Sequence, residues 1–163
     1  MKNKNVAFLT QAAIIAAIYV VLGVVFAAIG KGAIQVRIAE ALTILPVFTP
    51  AAVPGLFVGC LIGNILSGCI LPDIIFGSLA TLIGAIGTYK LGRIKPVLGT
   101  LPPILANIII VPLVLRYGYG EPLPIPYMML TVGAGEIISC GILGMILYSA
   151  LKPMKVRIFG SIR

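Results

Sequence analysis

Residues 6–29 form an apolar run of about 24 residues with no charged side chain, longer than the roughly 20 that carry an α-helix across a bilayer. A secretory h-region spans only about 7–15 residues and more apolar runs follow, so this segment is expected to remain as a first membrane helix. The next runs cover residues 51–71, 74–89, 97–115 and 128–151. Between the first and second lies a shorter one, residues 38–48, about half the length a span needs. With 60% hydrophobic and only 10% charged residues, the chain reads as an all-α integral membrane protein with room for a single bundle, residues 1–163 forming one domain.

Positive charge sets the expected topology. The net charge of +8 is not gathered on one amphipathic face. It sits in short segments between apolar runs, which is the pattern of membrane orientation rather than a nucleic-acid footprint. Lys2 with Lys4, Lys90 with Arg93 and Lys95, and the tail of Lys152, Lys155, Arg157 and Arg163 hold nine of the twelve basic residues. All three clusters are expected in the cytoplasm. An even number of crossings must then separate them, so the short run has to cross as well. The expectation is six transmembrane helices in the cell membrane, both termini cytoplasmic.

The few polar residues inside these runs are the candidate site. A carboxylate at membrane depth costs roughly 2.5–3.5 kcal/mol on insertion scales, so Glu40 needs a partner or a polar cavity. Arg37, three residues earlier, could form an intrahelical pair with it; alternatively Gln35, Arg37 and Glu40 line a ligand site. Asp73 falls at an outer turn, where it is either a helix N-cap or a site residue. Asn64 and Asn107 are either interhelical glue or ligand contacts. Glu136 has no basic residue within four positions, and Glu121 in a Gly-Pro-rich loop reads as merely solvated. The small-residue rows Ala12, Ala13, Ala16 and Ala17 would let another helix approach closely, within this chain or in another subunit.

Much chemistry is missing. There is no histidine and no phosphate-binding Gly-x-x-x-x-Gly-Lys-Ser/Thr segment, so the chain cannot drive transport with ATP by itself. Cys60, Cys69 and Cys140 lie in apolar segments without metal-ligand spacing and read as packing residues. Glu136 with Ser139 on one helical face is too little for an enzyme, and no cofactor or metal is implied.

Residues 34–46 (Ile-Gln-Val-Arg-Ile-Ala-Glu-Ala-Leu-Thr-Ile-Leu-Pro), residues 49–64 and residues 73–81 resemble the QueT family, and the likeness extends over essentially the whole chain. Those proteins are substrate-binding (S) subunits of energy-coupling-factor (ECF) transporters, taken to import precursors of the tRNA base queuosine. The resemblance implies an outward pocket, a transmembrane T subunit and two cytoplasmic ABC ATPases as partners, and outer loops at residues 31–37 and 116–126 acting as gates. It also implies that the alanine rows contact the T subunit. A purine-like 7-deazaguanine would present two parallel donors to a carboxylate, Glu40 or Glu136. Asn64, Asn107 and Gln35 would read its other polar atoms, and Tyr127 would stack. The alternatives are an S subunit for another vitamin-like cargo, or a small proton-coupled carrier working alone.

Overall fold

The computed structural model describes residues 2–27 and 36–160, and Gln35 lies outside them. Every element among the described residues is helical. Four stretches are long and apolar enough to cross a membrane, namely Lys4–Val25, Leu71–Leu91, Pro96–Tyr117 and Ile125–Phe159; Ile38–Val47 and Ala52–Leu66 are shorter. Large apolar side chains such as Leu9, Val21, Ile83, Ile109 and Leu130 point outward. A surface of that kind suits lipid, because the helices already satisfy their own backbone groups.

Helix α1 (Lys2–Val25) packs on α2 (Ala52–Leu66) through small residues on both sides. A Cβ placed on Gly55 would lie 2.7 Å from the Ala12 carbonyl oxygen, and one on Gly59 would lie 3.0 Å from that of Ala16. The row Ala12/Ala16 therefore meets its partner inside the chain. Ala13 and Ala17 remain exposed on another side of α1.

Residues Ile38–Val47 form a 3₁₀ helix with Ala39 to Pro46 entirely buried. It packs against α1, α2, α3 and the last helical stretch, so protein surrounds it. At about 2.0 Å per residue, a 3₁₀ helix carries ten residues about 20 Å, against about 15 Å in an α-helix. Winding tightly thus lengthens the segment whose apolar part looks too short in sequence.

Two boundaries differ from the sequence expectation. α2 stops at Leu66, short of residue 71, because Gly68 takes a φ of +71° and reverses the chain. Glycine reaches that left-handed region without a Cβ clash. α3 (Leu71–Leu91) then begins ahead of residue 74, with Pro72 in its first turn, where a missing N–H leaves no bond unmade. Asp73 is therefore inside the first turn and is not the N-cap, a position held by Ile70. A short 3₁₀ turn, Pro96–Thr100, leads into α4 (Leu101–Tyr117). The last stretch is not one regular helix. It runs as α5 (Ile125–Glu136), a π-helical segment Ile137–Leu143, α6 (Gly144–Leu151), a 3₁₀ turn Lys152–Met154 and α7 (Lys155–Phe159).

Candidate functional site

The two irregular segments face each other. The 3₁₀ helix packs directly on the π-helical segment, and the polar residues meet across that contact. π-Helical turns are uncommon and recur at functional sites, since the extra residue per turn re-aims side chains. Here the turn brings Ser139 and Cys140 toward the 3₁₀ helix. The Arg37 backbone N–H donates to Ser139 Oγ at 3.1 Å, and the Cys140 thiol donates to Glu136 Oε2 at 3.1 Å and approaches the Glu40 carbonyl oxygen at 3.5 Å.

Glu40 is fully buried. Its Oε1 accepts a 2.6 Å hydrogen bond from the Tyr19 hydroxyl of α1, whereas its Oε2 has no hydrogen-bond partner. Glu136 is buried as well, and a ligand oxygen from each carboxylate lies within 4.8 Å of the other and of Cys140 Sγ. These three residues are the grouping among the described ones that could hold a metal ion. The thiol is already bonded to Glu136 and the Tyr19 hydroxyl to Glu40, which leaves Glu40 Oε2 as the open position.

Arg37 does not pair with Glu40. Its guanidinium donates to Asn64 Oδ1 at 2.9 Å. The intrahelical ion pair that the spacing suggested is absent among the described residues because Arg37 is extended ahead of the 3₁₀ helix. That geometry takes the Arg37 side chain off the helical face of Glu40. Asn64 in turn donates to the Asp73 carbonyl at 3.4 Å, and Asp73 Oδ2 accepts from the Tyr119 hydroxyl at 2.9 Å. Burial, reinforced by Asp73, holds the Tyr119 hydroxyl above its ordinary value, so it remains a donor to that carboxylate.

A cavity of about 330 Å³ opens above this network, with Tyr19, Arg37, Asn64, Asp73, Tyr119 and Glu121 on its walls. Val111 and Val114 of α4 also line it. Asn107 lies one turn below Val111 on the same face; it is buried, and its Nδ2 has no hydrogen-bond partner. The four acidic residues of the chain are thus two on the cavity wall, Asp73 and Glu121, and two behind it, Glu40 and Glu136. Among the described residues only Arg37 supplies a cation to that wall. The arrangement favours a ligand rich in hydrogen-bond donors or carrying positive charge.

Of the residues expected from sequence, Arg37, Asn64 and Asp73 reach the cavity wall, and Glu40, Asn107 and Glu136 lie buried deeper. Tyr127, half exposed in the first turn of α5, does not line the cavity. Glu121, read as merely solvated, does line it. Tyr19, Tyr119 and Ser139 were not foreseen as site residues. Tyr19 carried a signal, because it falls three positions after Ala16 on the buried row of α1. The cysteines do more than fill space: Cys140 bonds Glu136, and Cys60 Sγ accepts from Thr81.

The model of one protein family, described as QueT transporter, matches residues 9–153. No curated protein and no solved structure matches the chain.

Proposed function

The chain belongs to the QueT transporter family, and from that premise we propose that it is the substrate-binding subunit of an ECF-type importer. In this reading it captures a queuosine precursor of the 7-deazaguanine type from outside and delivers it inward with a T subunit and two cytoplasmic ATPases. Membership of a transporter family and four long apolar helices make it a membrane protein of transport. The finer assignment has all six helical segments crossing the cell membrane as a single domain, with both termini and the Lys90–Lys95 turn cytoplasmic.

The observation that carries the cargo assignment is the pair of unpaired buried polar atoms, Glu40 Oε2 and Asn107 Nδ2, beside a cavity walled by acids. A buried acceptor and a buried donor left open each cost about 1–3 kcal/mol, so a ligand that answers both gains what the empty site lacks. A deazaguanine edge offers N1–H and NH₂ as parallel donors to a carboxylate, and O6 as an acceptor for an amide. An aminomethyl substituent would add an ammonium suited to the remaining acids. A volume of about 330 Å³ is at the small end of ligand pockets, as a bicyclic base requires. Arg37, its guanidinium held by Asn64 and its backbone N–H by Ser139, lines the cavity as the group that must move or bind.

Calorimetric titration of the detergent-purified chain with 7-aminomethyl-7-deazaguanine, its 7-cyano analogue and guanine tests this. One deazaguanine should bind tightly, and Glu40→Gln and Glu136→Gln should each weaken it by about tenfold to a hundredfold, the range for a hydrogen bond to a charged group. A folded protein that binds none of them removes the cargo assignment and leaves the family.

A further inference from the structure

The opposite end of the bundle holds a second hollow, of about 660 Å³, walled by Phe48, Tyr89, Arg93, Tyr148, Lys155 and Phe159. Three of these rings form a stack. Phe48 lies 5.2 Å from Tyr148 and 5.4 Å from Phe159, with interplanar angles of 19° and 6°. On the other wall the Arg93 guanidinium carbon sits 3.9 Å above the Tyr89 ring centroid. That contact holds the guanidinium at the ring without using its N–H donors in a conventional hydrogen bond.

Neither Arg93 nor Lys155 has a hydrogen bond or ion pair from its cationic head among the described residues. No acidic side chain lines the hollow. The four acids of the chain all belong to the first cavity or the carboxylates behind it. One cation held over a ring, Arg93, and a second lining the same hollow, Lys155, neither paired with an acid among the described residues, make a site for one anionic group attached to something apolar. The hollow lies where the long apolar stretches Leu71–Leu91 and Ile125–Phe159 end, the level at which a bilayer places its phosphates. Basic recesses between helix ends are suited to anionic headgroups there.

We propose that this hollow binds the headgroup of an anionic phospholipid, its phosphodiester between Arg93 and Lys155 and its glycerol against the Phe48, Tyr148 and Phe159 stack. The site is separate from the transport cavity. It depends on the proposed orientation only for the choice of leaflet, which would be the inner one.

The test is native mass spectrometry of the full chain released from nanodiscs of phosphatidylglycerol and phosphatidylcholine in equal parts. The chain should retain phosphatidylglycerol in preference. Arg93→Gln with Lys155→Gln should cut that preference by about fivefold per cation removed, the effect of one basic residue near an anionic surface. Lys90→Gln with Lys95→Gln, which removes the same charge outside the hollow, should cut it clearly less. Millimolar glycerol 3-phosphate should not displace the lipid. An unchanged preference in the Arg93/Lys155 variant, an equal loss in the Lys90/Lys95 variant, or displacement by the free phosphate would each overturn the proposal. The last would indicate a soluble-anion site. Should the double variant unfold, Lys155→Gln alone should still show the fivefold loss, and no loss there would overturn it as well. None of these readings depends on the cargo, so they stand or fall apart from the titration above.

Discussion

α1 and the 3₁₀ helix Ile38–Val47 lie against each other and are built on opposite terms. α1 is a regular α-helix whose Leu9, Ile14, Ile18 and Val21 are exposed; the 3₁₀ helix is buried from Ala39 to Pro46 and carries Glu40. A segment facing lipid must satisfy its backbone internally and keep charge away, whereas one wrapped by protein can wind irregularly and bury a carboxylate. The regular helix contributes contact surface and the irregular one contributes chemistry. The hydrogen bond from Tyr19 to Glu40 links the two.

The heaviest blow to this division falls on the small-residue seam of α1 and α2. A Cβ on Gly59 would meet the Tyr19 Cβ at 2.8 Å and the Ala16 carbonyl oxygen at 3.0 Å. Backbone on the far side cannot yield as a flexible side chain can. Gly59→Leu should therefore cost more than the ~1–3 kcal/mol of ordinary overpacking and abolish the folded peak in size-exclusion chromatography. A well-folded variant would mean that α1 can slide without loss, and that Tyr19 is not fixed by this contact.

A smaller intervention sharpens the same comparison. Tyr19→Phe keeps the ring and removes only the donor, leaving both oxygens of a fully buried Glu40 without a partner. The expected cost is about 1–3 kcal/mol, read as a lowered melting temperature in detergent. In a Glu40→Gln background the same change should cost less, because the carboxyl group that the hydroxyl serves is then gone. Equal costs in both backgrounds would show that Tyr19 contributes packing alone.

The regular part of the molecule was the legible part. Apolar length alone places α1, α3, α4 and the last stretch, and Asp73 marks the turn between α2 and α3, though not that Gly68 would cut α2 at Leu66. What sequence could not supply was helix type. Spacing on an α-helix put Arg37 beside Glu40, and an extended Arg37 ahead of a 3₁₀ helix undid that pair and gave it to Asn64. Likewise nothing in the residues 137–143 announces a π-helical turn, so Ser139 and Cys140 could not be aimed at residues a hundred positions earlier. Tyr127 stands off the cavity wall for a related reason. Its place at the start of α5 was read well enough, but which way a first-turn side chain points depends on the packing of α5 against α4.

The mildest expected effect lies on the outer side of α1. Ala17 is exposed while its neighbour Ala16 is buried against Gly59, so the two positions separate a face used inside the chain from one left for another partner. Ala17→Leu should change stability by no more than about 0.5 kcal/mol, as at most exposed positions. If Ala13 and Ala17 form the close-contact row for a T subunit, the same substitution should still remove that subunit and its ATPases from a mild-detergent pull-down, because a leucine holds the two backbones apart. Full copurification with unchanged stability would assign the partner to a different face of the bundle. Loss of stability together with copurification would mean instead that Ala17 serves the fold, and that the seam with α2 extends further around α1 than Ala12 and Ala16.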